Sequence, residues 1–195
     1  ARPLRERGVS VVGVDRRPPA EAASELDAYY QRDLDAPFEL PVGREFDYVI
    51  LSDVIEHLRN RRELLRALRR FLVGGGRMIV STPNVALWFY LLLGRFEYGP
   101  RGVLDQTHVH FYTRASFRRE IQRAGFRILR ERVTALPFEL VFESTGRSRA
   151  MRAFDRAYHV LALLWPSLFS YQHILEAEPM APDAGAGRPG AALQR

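Results

Sequence analysis

Residues 46–84, FDYVILSDVIEHLRNRRELLRALRRFLVGGGRMIVSTPN, decide the fold of this chain. Residues 48–51 form a short apolar run of β-branched and aromatic residues, which predicts a buried strand. Apolar residues then recur at helical spacing, and arginines occupy the other face of the predicted helix. The apolar positions are Leu64, Leu65, Leu68, Phe71 and Leu72. The glycines at 74–76 are expected to end this helix, and residues 78–80 predict a second strand. A strand, a helix and a strand in this order form a βαβ unit, so we expect a parallel sheet with right-handed crossovers.

The polar residues that follow these two strands form the first candidate site. Open parallel sheets bind ligands beyond the carboxyl ends of their strands. This rule places Ser52, Asp53, Glu56 and His57 at one position on that edge, with residues 81–84 beside them.

Composition excludes several classes of chemistry. The chain has 195 residues, no cysteine, and 29 basic residues that are all arginine. Disulfides, thiolate nucleophiles, Schiff-base lysines and the phosphate-binding lysine of P-loop proteins are therefore excluded. The net charge of +6 permits weak attraction to anionic surfaces. The arginines are spread along helix faces without interleaved aromatic residues, so we expect no nucleic-acid partner.

The remaining segments predict a single doubly wound domain with additions. We expect a helix over residues 20–30, a helix between Thr113 and Gly125, strands at 126–133 and 138–142, and a helix at 151–164. The expected division is a Rossmann-like domain over residues 1–145, a helical addition over 146–178 and a disordered tail over 179–195. Residues 1–7 are predicted to be the end of a helix. In a doubly wound fold such a helix follows a strand, so we expect the first strand of the sheet to be missing.

Two acids stand where successive strand-like elements end. Asp15 directly follows the predicted strand of residues 9–14, and Asp33 follows the next element. An acid at such a position can accept hydrogen bonds from both hydroxyls of a ribose, and Asp33 is placed to receive an adenine amino group. A solvated turn aspartate is the alternative for each acid alone. The two together favour an adenosyl cofactor.

Five segments together resemble the class I S-adenosylmethionine-dependent methyltransferases. They are GVSVVGVD, DLD, FDYVILSDVIEHL, ELLRALRRFLVGGGRMIVSTPN and LDQTHVHFYTRASFRREIQRAGF, all within residues 1–135. The branch containing ubiquinone-biosynthesis O-methyltransferases is the most similar. The resemblance implies S-adenosylmethionine as the cofactor, with Asp15 at its ribose and Asp33 with Leu34 at its adenine. It also implies that Ser52 and Asp53 lie beside the methionine portion.

The chain departs from this family at its glycine-rich cofactor loop, which should precede Ala1. The glycines at 74–76 cannot replace that loop, because they follow a helix and precede a strand. A missing central strand also leaves two strand edges unpaired. We therefore expect a truncated methyltransferase.

The sequence D-x-x-E-H at residues 53–57 has two interpretations. With His108, the residues Asp53, Glu56 and His57 can bind a divalent cation, and the spacing resembles the metal motif of small-RNA 2′-O-methyltransferases. Alternatively, Asp53 and Glu56 form an ordinary capping box at a helix start, which we favour, so no metal is expected. His57 and His108 are then the candidate general bases, because histidine titrates near neutrality. His110 is equally explained by packing.

The fold expected is α/β, a Rossmann-like doubly wound and mostly parallel sheet with a helical C-terminal addition. The function expected is O-methylation of a small-molecule hydroxyl in the cytoplasm. One alternative is a non-catalytic remnant of the fold that serves as an interaction module, and another is a metal-dependent RNA 2′-O-methyltransferase. The apolar stretches 86–93 and 160–169 are expected to pack on each other, with contact to a membrane surface as the alternative. They are too short to span a bilayer.

Overall fold

The computed structural model describes residues 2–19, 25–41, 46–88, 104–136 and 149–180, and these residues form an α/β fold. Within them the helices are α1 (Arg2–Arg5), α2 (Arg61–Leu68), α3 (Arg114–Arg123), α4 (Arg149–Leu164) and α5 (Pro166–Phe169). The strands are β1 (Val12–Asp15), β2 (Ala28–Gln31), β3 (Phe46–Ser52), β4 (Leu72–Pro83), β5 (Phe126–Thr134) and β6 (Gln172–Pro179). Short 3₁₀ turns cover Ile55–His57 and Arg69–Phe71.

The strands form two sheets. Strands β1 and β2 pair in parallel, and the larger sheet has the order β3-β4-β6-β5. Strand β3 is parallel to β4, while β6 runs antiparallel to both β4 and β5. Three of the four strands of the larger sheet therefore share one direction. The predicted βαβ unit of residues 46–84 is confirmed as β3, α2 and β4.

The core lies between the larger sheet and the helices α2 and α3. Helix α2 buries Leu64, Leu65 and Leu68, as its periodicity predicts. Of its arginines, Arg66 is exposed, while Arg61 and Arg62 pair with a glutamate of α3. Helix α3 contributes Phe117 and Ile121, both fully buried. A buried aliphatic or aromatic side chain contributes about 1.5–3 kcal/mol through the hydrophobic effect, so this cluster holds the helices on the sheet that carries the candidate site.

A groove separates the facing edges of β1 and β3. It has a volume of about 160 Å³ and is lined by apolar side chains from both strands, Val12 and Val14 among them. Tyr48 and Ile50 on β3 remain 51% and 57% exposed. Among the described residues no strand pairs with β3 on this side.

The prediction that the glycines at 74–76 end the helix is wrong, because they lie inside strand β4. Helix α2 ends at Leu68, and the 3₁₀ turn follows it. Phe46 pairs with Leu72 but Tyr48 pairs with Arg77, so β4 bulges across the glycines. Gly75 has φ of 82°, a conformation that glycine adopts without strain. A Cβ on Gly76 would lie 3.0 Å from the Phe46 carbonyl oxygen.

Two further secondary-structure predictions are wrong. A helix was expected over residues 20–30, but Ala28–Gln31 form strand β2. These residues extend because they pair with β1. The helical addition expected over 146–178 holds for α4 and α5, but Gln172–Pro179 form β6 inside the sheet. The buried residues of β6 alternate, at His173, Leu175 and Ala177, which is the strand period. The strand predicted at 138–142 and the tail beyond residue 180 lie outside the described residues.

Candidate active site

The sequence-predicted cofactor residues stand at strand ends beside the groove. Asp15 is the last residue of β1 and Ser52 the last of β3. The groove lining includes Val14, Leu34, Leu51 and Val54. Of the five predicted cofactor residues, Leu34 lines the groove. The other four each neighbour a lining residue in the sequence: Asp15, Asp33, Ser52 and Asp53.

The carboxylates of Asp15 and Asp33 are exposed and are oriented by their own turns. The backbone N–H of Arg17 donates to Asp15 Oδ1 over 2.9 Å. The backbone N–H of Asp35 donates to Asp33 Oδ1 over 2.9 Å. Such turns hold the carboxylate in one orientation without burying it. Both carboxylates are therefore open to solvent and keep acceptor positions for a ligand.

Asp53 connects the ends of three strands. Its Oδ1 accepts a hydrogen bond from the Ser81 hydroxyl at 3.0 Å, and its Oδ2 accepts one from Gln172 Nε2 at 2.6 Å. Its backbone φ of 51° lies in the left-handed region, where a non-glycine residue is strained. Strain of this kind clusters at functional sites. Asp53 thus fixes the loop that follows β3, and both of its carboxylate oxygens already have protein partners.

The capping box expected from Asp53 and Glu56 is wrong. The 3₁₀ turn Ile55–His57 has Val54 as its N-cap, with no side-chain cap hydrogen bond. Glu56 is 1% exposed, and neither of its carboxylate oxygens has a hydrogen-bond partner of good geometry among the described residues. The pKa of Glu56 is raised to about 7, mainly by burial. The Asp53 charge adds to the shift, while its own backbone amide and the Thr82 hydroxyl oppose it.

The imidazole of His57 is held in one tautomer. Thr107 O lies 3.2 Å and Thr107 Oγ1 3.0 Å from His57 Nδ1. The Thr107 hydroxyl donates its own proton to Asp105 Oδ1 over 2.6 Å, so both Thr107 oxygens present lone pairs to the ring. The proton of the neutral ring is therefore assigned to Nδ1, and Nε2 carries the lone pair.

The segment 104–112 brings His108 to His57. The backbone N–H groups of Val109 and His110 both donate to the Glu56 carbonyl oxygen, over 2.9 and 3.0 Å. The Val85 N–H donates to Tyr112 O over 2.9 Å, which fixes the far end of the segment beside β4. With both ends held, the rings of His57 and His108 meet edge to face, with centroids 4.6 Å apart.

Three of the four residues of the predicted metal set converge. Glu56, His57 and His108 each offer one ligand atom, and these atoms lie within 4.8 Å of one another. Asp53, the fourth predicted ligand, is not part of this group. His110 is also outside it, because its Nε2 contacts Arg61 Nη1. Burial, and then the charge of Arg61, lower the pKa of His110.

Sequence reasoning missed two residues that shape the site. Thr107 orients His57. The only sequence feature that could have pointed to Thr107 is its position next to His108 in a polar connection. Gln172 binds Asp53 from β6, which lies 119 residues further along the chain. No local pattern marks Gln172, because its place depends on β6 entering the sheet. Within the described residues, no helix combines the length and apolar character needed to cross a membrane.

The parallel strand pairs, with helices packed on the larger sheet, define a Rossmann-like α/β protein. A family model described as "Methyltransferase domain" matches residues 1–131, and the chain belongs to this methyltransferase family. The family implies S-adenosylmethionine as the cofactor. The exposed acids Asp15 and Asp33 and the apolar groove fit its adenosine half. A search of curated proteins finds no match.

Solved structures share this fold. A SAM-dependent methyltransferase from Archaeoglobus fulgidus is 19% identical with a TM-score of 0.55, and the match covers 89% of this chain and 78% of that one. An S-adenosylmethionine-dependent methyltransferase from Mesorhizobium loti is 20% identical with a TM-score of 0.56, covering 90% and 83%. The cyclase SpnF is 17% identical with a TM-score of 0.55, covering 92% and 71%. At these identities the likeness shows the fold.

Proposed function

We propose that this protein transfers the methyl group of S-adenosylmethionine to a hydroxyl oxygen of a small molecule. The observation that carries the proposal is the fixed tautomer of His57, whose Nε2 lone pair stands one turn beyond the end of β3. A hydroxyl acceptor must lose a proton during methyl transfer, and a neutral imidazole is the side chain best suited to accept it near neutral pH.

The cofactor is held by the residues along the groove. Asp15 accepts hydrogen bonds from the ribose hydroxyls, and Asp33 accepts one from the adenine amino group. Leu34 packs on the adenine ring, because it already lines the groove with Val14. Ser52 and Asp53 lie beside the methionine portion. Since both Asp53 oxygens have protein partners, Asp53 acts by fixing the loop that forms this wall.

The reaction needs alignment more than acid–base strength. The acceptor oxygen forms a bond to the methyl carbon while the carbon–sulfur bond breaks, and S-adenosylhomocysteine leaves. His57 Nε2 takes the hydroxyl proton as the oxygen–carbon bond forms. His108, in ring contact with His57, orients the acceptor. Positioning of this kind can supply several kcal/mol of the barrier reduction, so the absence of cysteine and lysine is no obstacle.

The test is methyl transfer from radiolabelled S-adenosylmethionine to a panel of phenols, catechols and sugars. The expected result is turnover of at least one hydroxyl acceptor, reduced about 10²–10⁴-fold by His57→Ala, the usual contribution of a general base. Cofactor binding should be unchanged in this variant. The matched control is His159→Ala, since His159 is an exposed histidine on α4. Turnover that survives His57→Ala, or transfer only to nitrogen acceptors, would contradict the proposal.

A further inference from the structure

A buried carboxylate stands beside two imidazoles, and only weak stabilisation reaches it from its own backbone amide and the Thr82 hydroxyl. Glu56 is 1% exposed, and both of its side-chain oxygens lack a hydrogen-bond partner among the described residues. Burying an unpaired carboxylate is costly, so native structures pair such groups or use them to coordinate metals. The capping box that would have given Glu56 a structural role does not form.

We propose that Glu56, His57 and His108 bind one divalent transition-metal cation. Their ligand atoms lie within 4.8 Å of one another. Ligand atoms around a cation with bonds of about 2.1 Å are roughly 3–3.5 Å apart, so small side-chain rotations close the set. Two imidazoles and one carboxylate suit Zn²⁺, Fe²⁺, Co²⁺ or Mn²⁺ better than Ca²⁺ or Mg²⁺, which prefer oxygen ligands.

The residues around the cluster support the ligands as a metal site requires. Thr107 accepts the Nδ1 proton of His57, so Nε2 is the nitrogen assigned as ligand. The Thr107 hydroxyl is oriented in turn by Asp105. A ligating histidine that donates its other N–H to an oxygen is the usual arrangement at protein metal sites. The carbonyl of Glu56 also anchors the segment that carries His108, through the N–H groups of Val109 and His110.

Three protein ligands leave at least one coordination position open, which is the arrangement of catalytic metal sites. Its role rests on the proposed function: the cation binds the acceptor hydroxyl and lowers its pKa. In the metal-bound state His57 Nε2 is a ligand and cannot also accept the acceptor proton. The general-base role described above therefore belongs to the metal-free chain, and the proton of the metal-bound hydroxyl passes to solvent. Metal binding itself does not depend on the proposed function and is measured without cofactor or acceptor.

The test is titration of the metal-free chain with Co²⁺, monitored by visible absorption, with Zn²⁺ as the competitor. The expected result is saturation at one cation per chain. Glu56→Gln and His108→Ala should each weaken binding at least tenfold, and Thr107→Val about tenfold, the usual effect of removing an outer-shell partner. Glu56→Gln preserves shape, and circular dichroism of each variant checks its fold. His159→Ala is the control for adventitious binding to a histidine and should leave the affinity unchanged.

No saturable Co²⁺ binding by the folded wild-type chain would overturn the proposal. Binding that survives both Glu56→Gln and His108→Ala would also overturn it, because the cation would then lie elsewhere. A calorimetric titration of the same samples with S-adenosylhomocysteine separates the two claims. Cobalt binding without cofactor binding would reject the proposed function alone, and the reverse result would reject the metal site alone.

Discussion

At the scale of single residues, Asp53 combines a strained backbone with two side-chain hydrogen bonds. Its φ of 51° costs an L-residue about 1–2 kcal/mol, whereas glycine adopts this conformation freely. Replacement by glycine or alanine removes the same bonds to Ser81 and Gln172. We therefore expect Asp53→Gly to be more stable than Asp53→Ala by about 1 kcal/mol, measured as the free energy of unfolding in urea.

The control for this prediction is the same pair of changes at Asp47, an exposed residue on β3. In a strand alanine is favoured over glycine, so the order of the two variants should reverse there. Equal stability of Asp53→Gly and Asp53→Ala would show that the left-handed conformation of Asp53 is not maintained in solution.

At the scale of elements, α3 begins with a capping box that the D-x-x-E-H segment lacks. The Thr113 hydroxyl accepts from the Ser116 N–H, and the Ser116 hydroxyl accepts from the Thr113 N–H. Thr113→Ala should lower the free energy of unfolding by about 1 kcal/mol, because an N-terminal N–H of the helix loses its partner. Thr113→Ser keeps the oxygen and should cost clearly less, as judged by urea denaturation. Equal losses in both variants would assign the effect to the threonine methyl group.

The contrast between Thr113 and Asp53 shows what a local pattern can decide. Thr113 and Asp53 both precede apparent helix starts, but only Thr113 is followed by a regular helix of 10 residues. The turn after Asp53 has 3 residues, so its few N–H groups do not require the same side-chain cap. The length of the helix or turn that follows depends on tertiary packing, which a short local motif does not encode.

At the scale of the whole molecule, buried His173 makes stability depend on pH. Burial lowers its pKa to about 4, with the charge of Glu131 opposing the shift and that of Arg114 assisting it. The unfolded chain, with a histidine pKa near 6.5, binds the proton first as pH falls, so this residue destabilises the fold between about pH 6.5 and 4. The full effect is about 3 kcal/mol.

The measurement is urea denaturation at several values between pH 7 and pH 4. His173→Gln should lose less stability than the wild-type chain over this range, because the replaced residue no longer takes up a proton on unfolding. Comparison of the two chains cancels the titration of all other groups. His159→Gln, at an exposed position, should follow the wild type. A His173→Gln variant with the wild-type pH dependence would contradict the burial of a neutral imidazole.

The sequence predicts the fold well where the signal is local. Strands β1, β3, β4 and β5 and helices α2, α3 and α4 follow from hydrophobic period and turn residues. Strand β6 was missed, because its place between β4 and β5 depends on partners about 90 and 40 residues away. The resemblance of D-x-x-E-H with the distant His108 to a metal motif also suggested that His57 and His108 share a site. Their contacts with Thr107 and the buried state of Glu56 depend on side-chain packing, and sequence spacing carries no signal for them.

Calorimetric titration of this chain with S-adenosylhomocysteine tests directly whether the chain binds the methyltransferase cofactor through Asp15. We expect saturable binding of one molecule of S-adenosylhomocysteine per chain. Asp15→Ala should weaken it at least tenfold, the effect of losing hydrogen bonds from a charged group to the ribose. Glu6→Ala, which removes an exposed carboxylate beside α1 and away from the groove lining, should leave it unchanged. Absence of binding by the folded chain, or binding that Asp15→Ala leaves intact, would contradict the account.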